Sequence, residues 1–503
     1  MKNNAILKGT LILTTAGIIS RVLGFYYRIF LTGIIGAEGL GLYQMVFPLV
    51  TVCMAISNSG ISLAISRYTA AFLSQKKNSD ARHTLVIGIG ISLALSLVCT
   101  AFLYIASDFL AINVLKDARC TLLIQIISFM LPLGVIHNCI SSYYMGKGNT
   151  IIPAVSQLLE QIIRIGSVIL IFHIKDTNGQ PITAATGMAG LLFGEIVSCL
   201  FCLTVCSFTK KDFIISSPMH LTKNILKMAV PISANRIVIS LLHSMEAILI
   251  PSMLRQNGLS SSQSLSTYGI LSGMAFPLIM LPSTLINSFS AMLLPAVSSA
   301  SHSKKTDSVT HTIKTAYECS MVIGIFCLGA FLIWGDEAGN LLFNEPQVGV
   351  YVTAFAWMCP FLYISTTITS ILNGLGKTNT TLILDVTAFL ARIALIVLLI
   401  PRIGITGYLI AFLVSEIYLA LGSVFAVWHI HPVSFDAFRL IVQPLLSLAV
   451  SAGAGLYAHN LIMALFPALP PLLILISAGA IMGILYLFFM YVMFAAPVKK
   501  EFQ

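Results

Sequence analysis

Between Leu11 and Ile35 the chain stays largely apolar for a full membrane thickness, with Arg21 and Arg28 as its only charges, and runs of this kind recur to its end. A helix needs about 20 such residues to cross a hydrocarbon core, each adding about 1.5 Å of rise. Fourteen runs reach that length, near residues 9–33, 41–70, 84–107, 120–144, 151–173, 183–208, 224–253, 266–299, 312–334, 348–373, 381–400, 404–428, 440–461 and 472–495. Of the 503 residues 57% are hydrophobic and 9% charged, against about 25% charged in a water-soluble domain. In lipid each segment must satisfy its own backbone groups, and unbroken runs exclude the alternating strands of a barrel. The sequence therefore predicts an all-α membrane protein of about fourteen transmembrane helices, with no soluble domain left over.

Basic residues set the orientation. With the N-terminus in the cytoplasm, Lys2, Lys8, Lys76, Lys77, Arg82, Lys147, Lys210, Lys211, Lys223, Lys227, Lys304, Lys305, Lys314, Lys377, Arg439, Lys499 and Lys500 fall on the inner side. The outer side holds only Lys116, Arg119, Lys175, Arg255 and Arg402. This bias is the positive-inside pattern and puts both termini in the cytoplasm. The net charge of +10 then belongs to a face lying against anionic lipid, and calls for no nucleic acid. The first span reads as uncleaved. Ten cysteines, nearly all inside spans, give no disulfide framework. Cys199, Cys202 and Cys206 lack a fourth ligand and read as packing residues.

The chain also repeats itself. "MVFPL" at 45–49 matches "MAFPL" at 274–278, and "GKGNT" at 146–150 matches "GKTNT" at 376–380. "ILK" at 6–8 and 225–227, and "GEI" at 194–196 with "SEI" at 415–417, fall in the same order. These matches predict two parallel six-helix repeats, residues 1–210 and 211–430, followed by two extra C-terminal helices and a tail in 431–503. Parallel repeats are related by an axis along the membrane normal, an arrangement found in transporters. Pro48, Pro277 and Pro282 lie inside spans and predict kinks or a curved cavity wall.

A charge at the centre of a membrane helix costs about 2.5–3.5 kcal/mol on insertion scales, so ions at that depth point to function. Arg21 and Arg28 sit two turns apart on one face of span 1. Arg67, Glu160, Arg164, Glu195, Arg236, Glu246, Asp385, Arg392 and Glu416 are further intramembrane ions. Glu160 and Arg164 are spaced to pair with each other. Guanidinium keeps its charge and grips phosphate in a bidentate manner, so a wet cavity lined by arginines suits a lipid whose head bears a pyrophosphate. The candidate substrate-binding residues are Arg21, Arg28, Arg67, Glu160, Arg164, Arg236 and Arg392. A membrane-embedded glycosyl-transfer enzyme is the alternative of another class. Short loops and the absence of any His/Asp/Glu cluster or metal-ligand spacing in the sequence weigh against it, and neither a catalytic residue nor a cofactor is expected.

Residues 8–49, "KGTLILTTAGIISRVLGFYYRIFLTGIIGAEGLGLYQMVFPL", together with "GKGNTIIPA" and "GKTNT", resemble the polysaccharide-transporter branch of the multidrug/oligosaccharidyl-lipid/polysaccharide (MOP) flippase superfamily. Within it the chain is similar to a sporulation group of endospore-forming bacteria and, more distantly, to lipid II flippases. "SRVLGF" at 20–25 is the most specific part. The resemblance implies a multi-pass protein of the bacterial cytoplasmic membrane that moves an undecaprenyl-pyrophosphate-linked peptidoglycan or polysaccharide precursor by alternating access. It also implies a place in spore-cortex or cell-wall synthesis, with cell-wall synthesis enzymes as partners. In that family the arginines matching Arg21 and Arg28 line a central cavity, and the last two spans hold the lipid tail. The chain departs from the pattern in spacing these arginines by seven residues and in lacking an arginine in 266–299; Arg236 is the proposed substitute. Some members couple transport to sodium held among spans 7, 11 and 12, which implies Na+ or H+ coupling at Asp385. The sister family, ion-coupled multidrug exporters of the MATE type, is the alternative within transport, and the basic first span weighs against it.

Overall fold

A computed structural model describes residues 2–208, 218–302, 306–433 and 436–495. Lys210, Lys211, Lys304, Lys305, Lys499 and Lys500, and the repeat boundary expected after residue 210, lie outside the described residues. The first helices are α1 (Lys2–Met54), α2 (Gly60–Ser74), α3 (Asn78–Ile105), α4 (Ser107–Phe109), α5 (Cys120–Ser128), α6 (Met130–Gly146), α7 (Ile151–Thr177), α8 (Ala184–Phe208), α9 (Pro218–Gln256) and α10 (Ser261–Gly269). They are followed by α11 (Phe276–Met280), α12 (Ser283–His302), α13 (Thr306–Phe343), α14 (Pro346–Ala356), α15 (Cys359–Gly374), α16 (Thr378–Ile403), α17 (Ile405–Ile430), α18 (Gln443–Leu465) and α19 (Pro471–Ala495). No strand occurs among the described residues.

Eleven of these helical stretches are long and apolar enough to cross a membrane, or thirteen if each of two bent pairs makes one span. The expected fourteen is therefore approximate. The first stretch, Ile12–Ser74, has 63 residues, about three times the minimum for one crossing and enough for two. It breaks at Gly36, whose φ of 67° and ψ of −179° are open to glycine and costly for other residues. The bent pairs turn by 57° between Met280 and Ser283 and between Ala356 and Cys359. Pro282 lies in the first of these breaks, where its missing N–H ends the helical ladder.

Contacts divide the chain into two compact units, Met1–Gly269 and Ile270–Gln503. In the first, α2, α3, α6, α8 and α9 meet around Ile61, Ile65, Leu85, Val135, Ile140 and Tyr144. Helix α10 crosses α1 at backbone contact: a Cβ on Gly41 would stand 2.1 Å from the Leu265 carbonyl oxygen, and one on Gly269 2.1 Å from that of Ala37. Small residues permit this approach, and packing of this kind holds helices together where lipid supplies no hydrophobic drive. At one end of this unit Arg119 bridges Glu38 and Asp117, both at 2.8 Å, and Ser262 donates to Glu38 at 2.7 Å. Burial opposes ionisation of Asp117, yet the side-chain and backbone donors of Arg119 outweigh it and hold the carboxyl below its ordinary range.

In the second unit, α12, α13, α15 and α17 pack around Val297, Ile313, Tyr317, Ile368 and Val427. The last two helices dock on α13 through Trp334, Ala478 and Met482, and the Tyr486 hydroxyl donates to the Val322 carbonyl at 2.9 Å. Much of their remaining surface is apolar and exposed, as at Leu487 and Tyr491, which is the signature of lipid-facing helices.

The two turns that carry the "GKGNT" and "GKTNT" motifs share one hydrogen-bond pattern. Gly148 (φ 74°) and Gly376 (φ 77°) close the ends of α6 and α15. Asn149 donates to the Tyr144 carbonyl as Lys377 does to that of Leu372. Because the left-handed glycine sets the register, the structural match is "GKG" with "GLG", two residues off the sequence match. The same step along the chain that carries Gly148 onto Gly376 carries Arg164 onto Arg392.

Candidate functional site

In the first unit four helices bring ionisable groups together inside the membrane-spanning stretch. Helix α1 supplies Tyr27, Arg28 and Tyr43; α7 supplies Ser156, Glu160, Gln161 and Arg164; α6 supplies His137; α8 supplies Glu195 and Ser198. The chain can approach this closely because α8 presents glycine to α7. A Cβ on Gly190 would reach within 3.2 Å of the Arg164 carbonyl, and one on Gly194 within 2.8 Å of that of Glu160.

Arg164 pairs with Glu160 one turn earlier on α7 and touches the Gln161 side-chain oxygen at 3.4 Å. Its Nε is buried without a hydrogen-bond partner. Arg28, half-buried, has Tyr43, Arg164 and Tyr27 as its electrostatic neighbours; among the described residues no carboxylate neutralises it and no group accepts a hydrogen bond from it. Tyr27 in turn donates to the Gly187 carbonyl at 3.2 Å, fixing α1 against α8. Two guanidinium groups thus share one region with a single carboxylate paired to them, and buried polar groups in native structures are almost always satisfied. Arg28 and the Arg164 Nε are left without acceptors of their own, which an anion would supply.

Beside it, His137 Nδ1 lies 2.9 Å from Glu195 Oε1 and Nε2 lies 2.7 Å from Ser156 Oγ. His137, Glu160 and Glu195 each offer a ligand atom, all within 4.8 Å of one another. The sequence shows no such cluster because its members come from α6, α7 and α8, far apart in the chain; the fold corrects that expectation. Glu195 was visible as an intramembrane ion. His137 is not among the expected residues, although a histidine inside the apolar run 120–144 is itself a signal.

The other expected residues lie elsewhere. Arg21 is exposed on α1, two turns before Arg28, and Arg236 is exposed on α9 between Pro231 and Pro251. Arg67 is exposed and lines a groove of about 440 Å³ with Tyr68, Asn224 and Lys227. Arg392, 4% exposed, belongs to the second unit and is taken up there: Nη2 donates to Glu416 at 2.7 Å, Nε to Ser415 at 2.7 Å, and its plane sits 3.9 Å from the Phe412 ring centroid. Asp385 is half-buried on α16 and has no hydrogen bond or ion pair among the described residues. All ten cysteines are free, and Cys199 and Cys202 are buried.

A bundle of eleven to thirteen helical stretches long and apolar enough to cross a membrane, with ionisable side chains held among them, defines a polytopic membrane protein. The chain belongs to the family described as polysaccharide biosynthesis protein, whose profile matches residues 6–301. It is 27% identical to stage V sporulation protein B of Bacillus subtilis (strain 168), over 86% of each chain. Its fold is similar to that of the lipid II flippase MurJ in an inward closed conformation, with a TM-score of 0.72 at 17% identity over 96% of this chain and 99% of that one. It also resembles an inward-facing multidrug resistance MATE family transporter of the MOP superfamily, with a TM-score of 0.68 at 16% identity over 82% and 94%. The two solved structures are of a lipid II flippase and a multidrug transporter, and the likeness shows that this chain shares their fold.

Proposed function

We propose that the protein moves an undecaprenyl-pyrophosphate-linked peptidoglycan or polysaccharide precursor to the outer leaflet of the bacterial cytoplasmic membrane by alternating access, in cell-wall or spore-cortex synthesis. The carrying observation is that, among the described residues, Arg28 has no carboxylate or other acceptor beside it and Arg164 keeps a buried Nε without one. A diphosphate offers the bidentate acceptors that guanidinium groups select. On this reading Arg28 and Arg164 hold the head, Glu160 is the resident counter-ion that the head displaces, and Arg21, Arg236 and Arg67 draw the anion along the exposed faces of α1, α9 and α2. The lipid tail stays outside, in the bilayer. A multidrug cation would meet like charge at Arg28, which disfavours the exporter reading.

The test is reconstitution into liposomes with a fluorescent lipid-linked diphosphate glycan, scored by its accessibility to an impermeant quencher. Arg28→Ala and Arg164→Ala are expected to lower the flipping rate at least tenfold, while Arg28→Lys keeps part of it. Unchanged rates in both alanine variants would remove the site from the mechanism. For coupling we assign a cation to Asp385, whose carboxyl has no partner on its own unit. Flipping that is equal with and without a sodium gradient, and equal in Asp385→Asn, would discard that assignment.

A further inference from the structure

We propose that His137, Glu195 and Glu160 form a proton-binding site whose occupancy is linked to the binding of an anion at Arg28 and Arg164; the inference rests on the reading of those arginines as an anion site. The hydrogen bonds around the imidazole allow two complete states. In the neutral ring Nδ1–H donates to Glu195 Oε1 at 2.9 Å, and Ser156 Oγ–H donates to Nε2 at 2.7 Å. In the imidazolium both nitrogens donate, to Glu195 and to Ser156 Oγ, and the Ser156 hydroxyl turns to the Pro153 carbonyl at 3.4 Å on its own helix. Ser198 Oγ lies 3.2 Å from Nε2 and also 3.2 Å from the Ser156 carbonyl, so it follows either state. Only hydroxyl rotation separates them. A buried histidine with a satisfied hydrogen-bond arrangement in each protonation state is built to exchange a proton, and histidine is the side chain whose ordinary titration spans neutral pH.

The same geometry speaks against a metal ion. Both ring nitrogens are already engaged, so an ion would have to displace Ser156 from Nε2 or the proton from Nδ1, and Glu160 Oε1 is bonded to Arg164, so an ion held by that carboxylate would sit beside a guanidinium. Around the ring, α7 contributes Glu160 and Arg164, and α8 contributes Glu195 with the thiols of Cys199 and Cys202 facing that carboxylate. Beyond Arg164 stand Arg28, Tyr27 and Tyr43 of α1. No other charged group contacts the imidazole among the described residues.

The linkage follows from charge. With a neutral ring the two arginines and the two glutamates cancel. A bound diphosphate adds negative charge and competes with Glu160 for Arg164, leaving a carboxylate without its partner in a low-dielectric interior. One proton taken from water by His137 gives that carboxylate a new cationic partner within the same cluster. Anion binding therefore draws a proton in, and a proton in place strengthens anion binding, by the reciprocity of linked sites.

The experiment is titration calorimetry of the full-length protein in detergent with farnesyl diphosphate at pH 8, in buffers of different ionisation enthalpy. The wild type should take up a measurable fraction of a proton per anion bound, and affinity should fall by up to tenfold per pH unit as pH rises. The ligand alone would release protons on meeting cationic groups, so the sign separates the two sources. His137→Gln should bind with no uptake, and Ser156→Ala, which leaves every charge in place, should show reduced uptake. Binding that is weakened by Arg28→Ala yet takes up no proton in the wild type would overturn the linkage and leave the anion site standing. Uptake unchanged in both His137→Gln and Ser156→Ala would also overturn it. Binding indifferent to Arg28→Ala would remove the anion site and the linkage together.

Discussion

Arg164 and Arg392 occupy the same place in the two repeats and have opposite fates. Arg392 is enclosed by Glu416, Ser415 and two aromatic rings, whereas Arg164 keeps a buried Nε without a partner. Removing one member of a buried pair leaves the other charge uncompensated, at about 3–5 kcal/mol, while replacing both with apolar residues is often neutral. Arg392→Met alone should therefore lower the melting temperature of the detergent-purified protein sharply, and the double change Arg392→Met with Glu416→Leu should recover most of it. A double variant as unstable as the single one would show that the pair matters for more than charge balance. At the other charged cluster, Arg119 holds the Asp117 carboxyl below its ordinary range. A carboxylate depressed in the folded state adds stability above its unfolded pKa and loses it as pH falls through the folded value. Melting scans should show this contribution at neutral pH, fading in the acid range and absent in Asp117→Asn. Since Arg119 is half-exposed, its size is expected to be at most about 1 kcal/mol.

Helices were the legible part of this chain, and their crossings were not. Apolar length marks a span wherever it occurs, so the all-α class could be read directly. The intramembrane charges were legible as well, including Glu160 with Arg164, because their spacing within one helix is fixed by its pitch. What brings Arg28 to Arg164, or His137 to Glu195, depends on which helix faces which, and that is decided by small residues and close backbone contacts with no periodic signature. The register of the repeat shows the same limit: similar letters suggested one alignment, and the left-handed glycines of the turns impose another. The crossing of α1 and α10 gives a direct test at this scale. A valine at Gly269 would drive its Cβ to 2.1 Å from a backbone carbonyl that cannot step aside. Overpacking costs about 1–3 kcal/mol where neighbours can shift, and more is expected here because the neighbour is backbone. Gly269→Val should melt well below the wild type, while Gly453→Val, with open space around its Cβ, should not.

The whole chain must also choose which way to face, and its repeats constrain the answer. Between the turn at Gly148 and the turn at Gly376 lie α7, α8, α9, the bent stretch α10 to α12, α13, and the bent pair α14 and α15. Counted as six crossings, an even number, they return the chain to the side it left. Lys147 and Lys377, both exposed beside these turns, should then share one face, and the excess of lysine on that face makes it the cytoplasmic one. Asp176 and Arg402, exposed one crossing further on, should share the other. Single cysteines at these positions, in a background lacking the ten natural ones, can be probed in intact cells with a membrane-impermeant maleimide. Asp176→Cys and Arg402→Cys should label at once, and Lys147→Cys and Lys377→Cys only after permeabilisation. A split within either pair would mean that one bent stretch turns back without crossing, and the parallel relation of the two repeats would fail with it. A reversal of both pairs together would keep the repeats and invert the orientation, so that an anion held at Arg28 would be collected from the opposite leaflet.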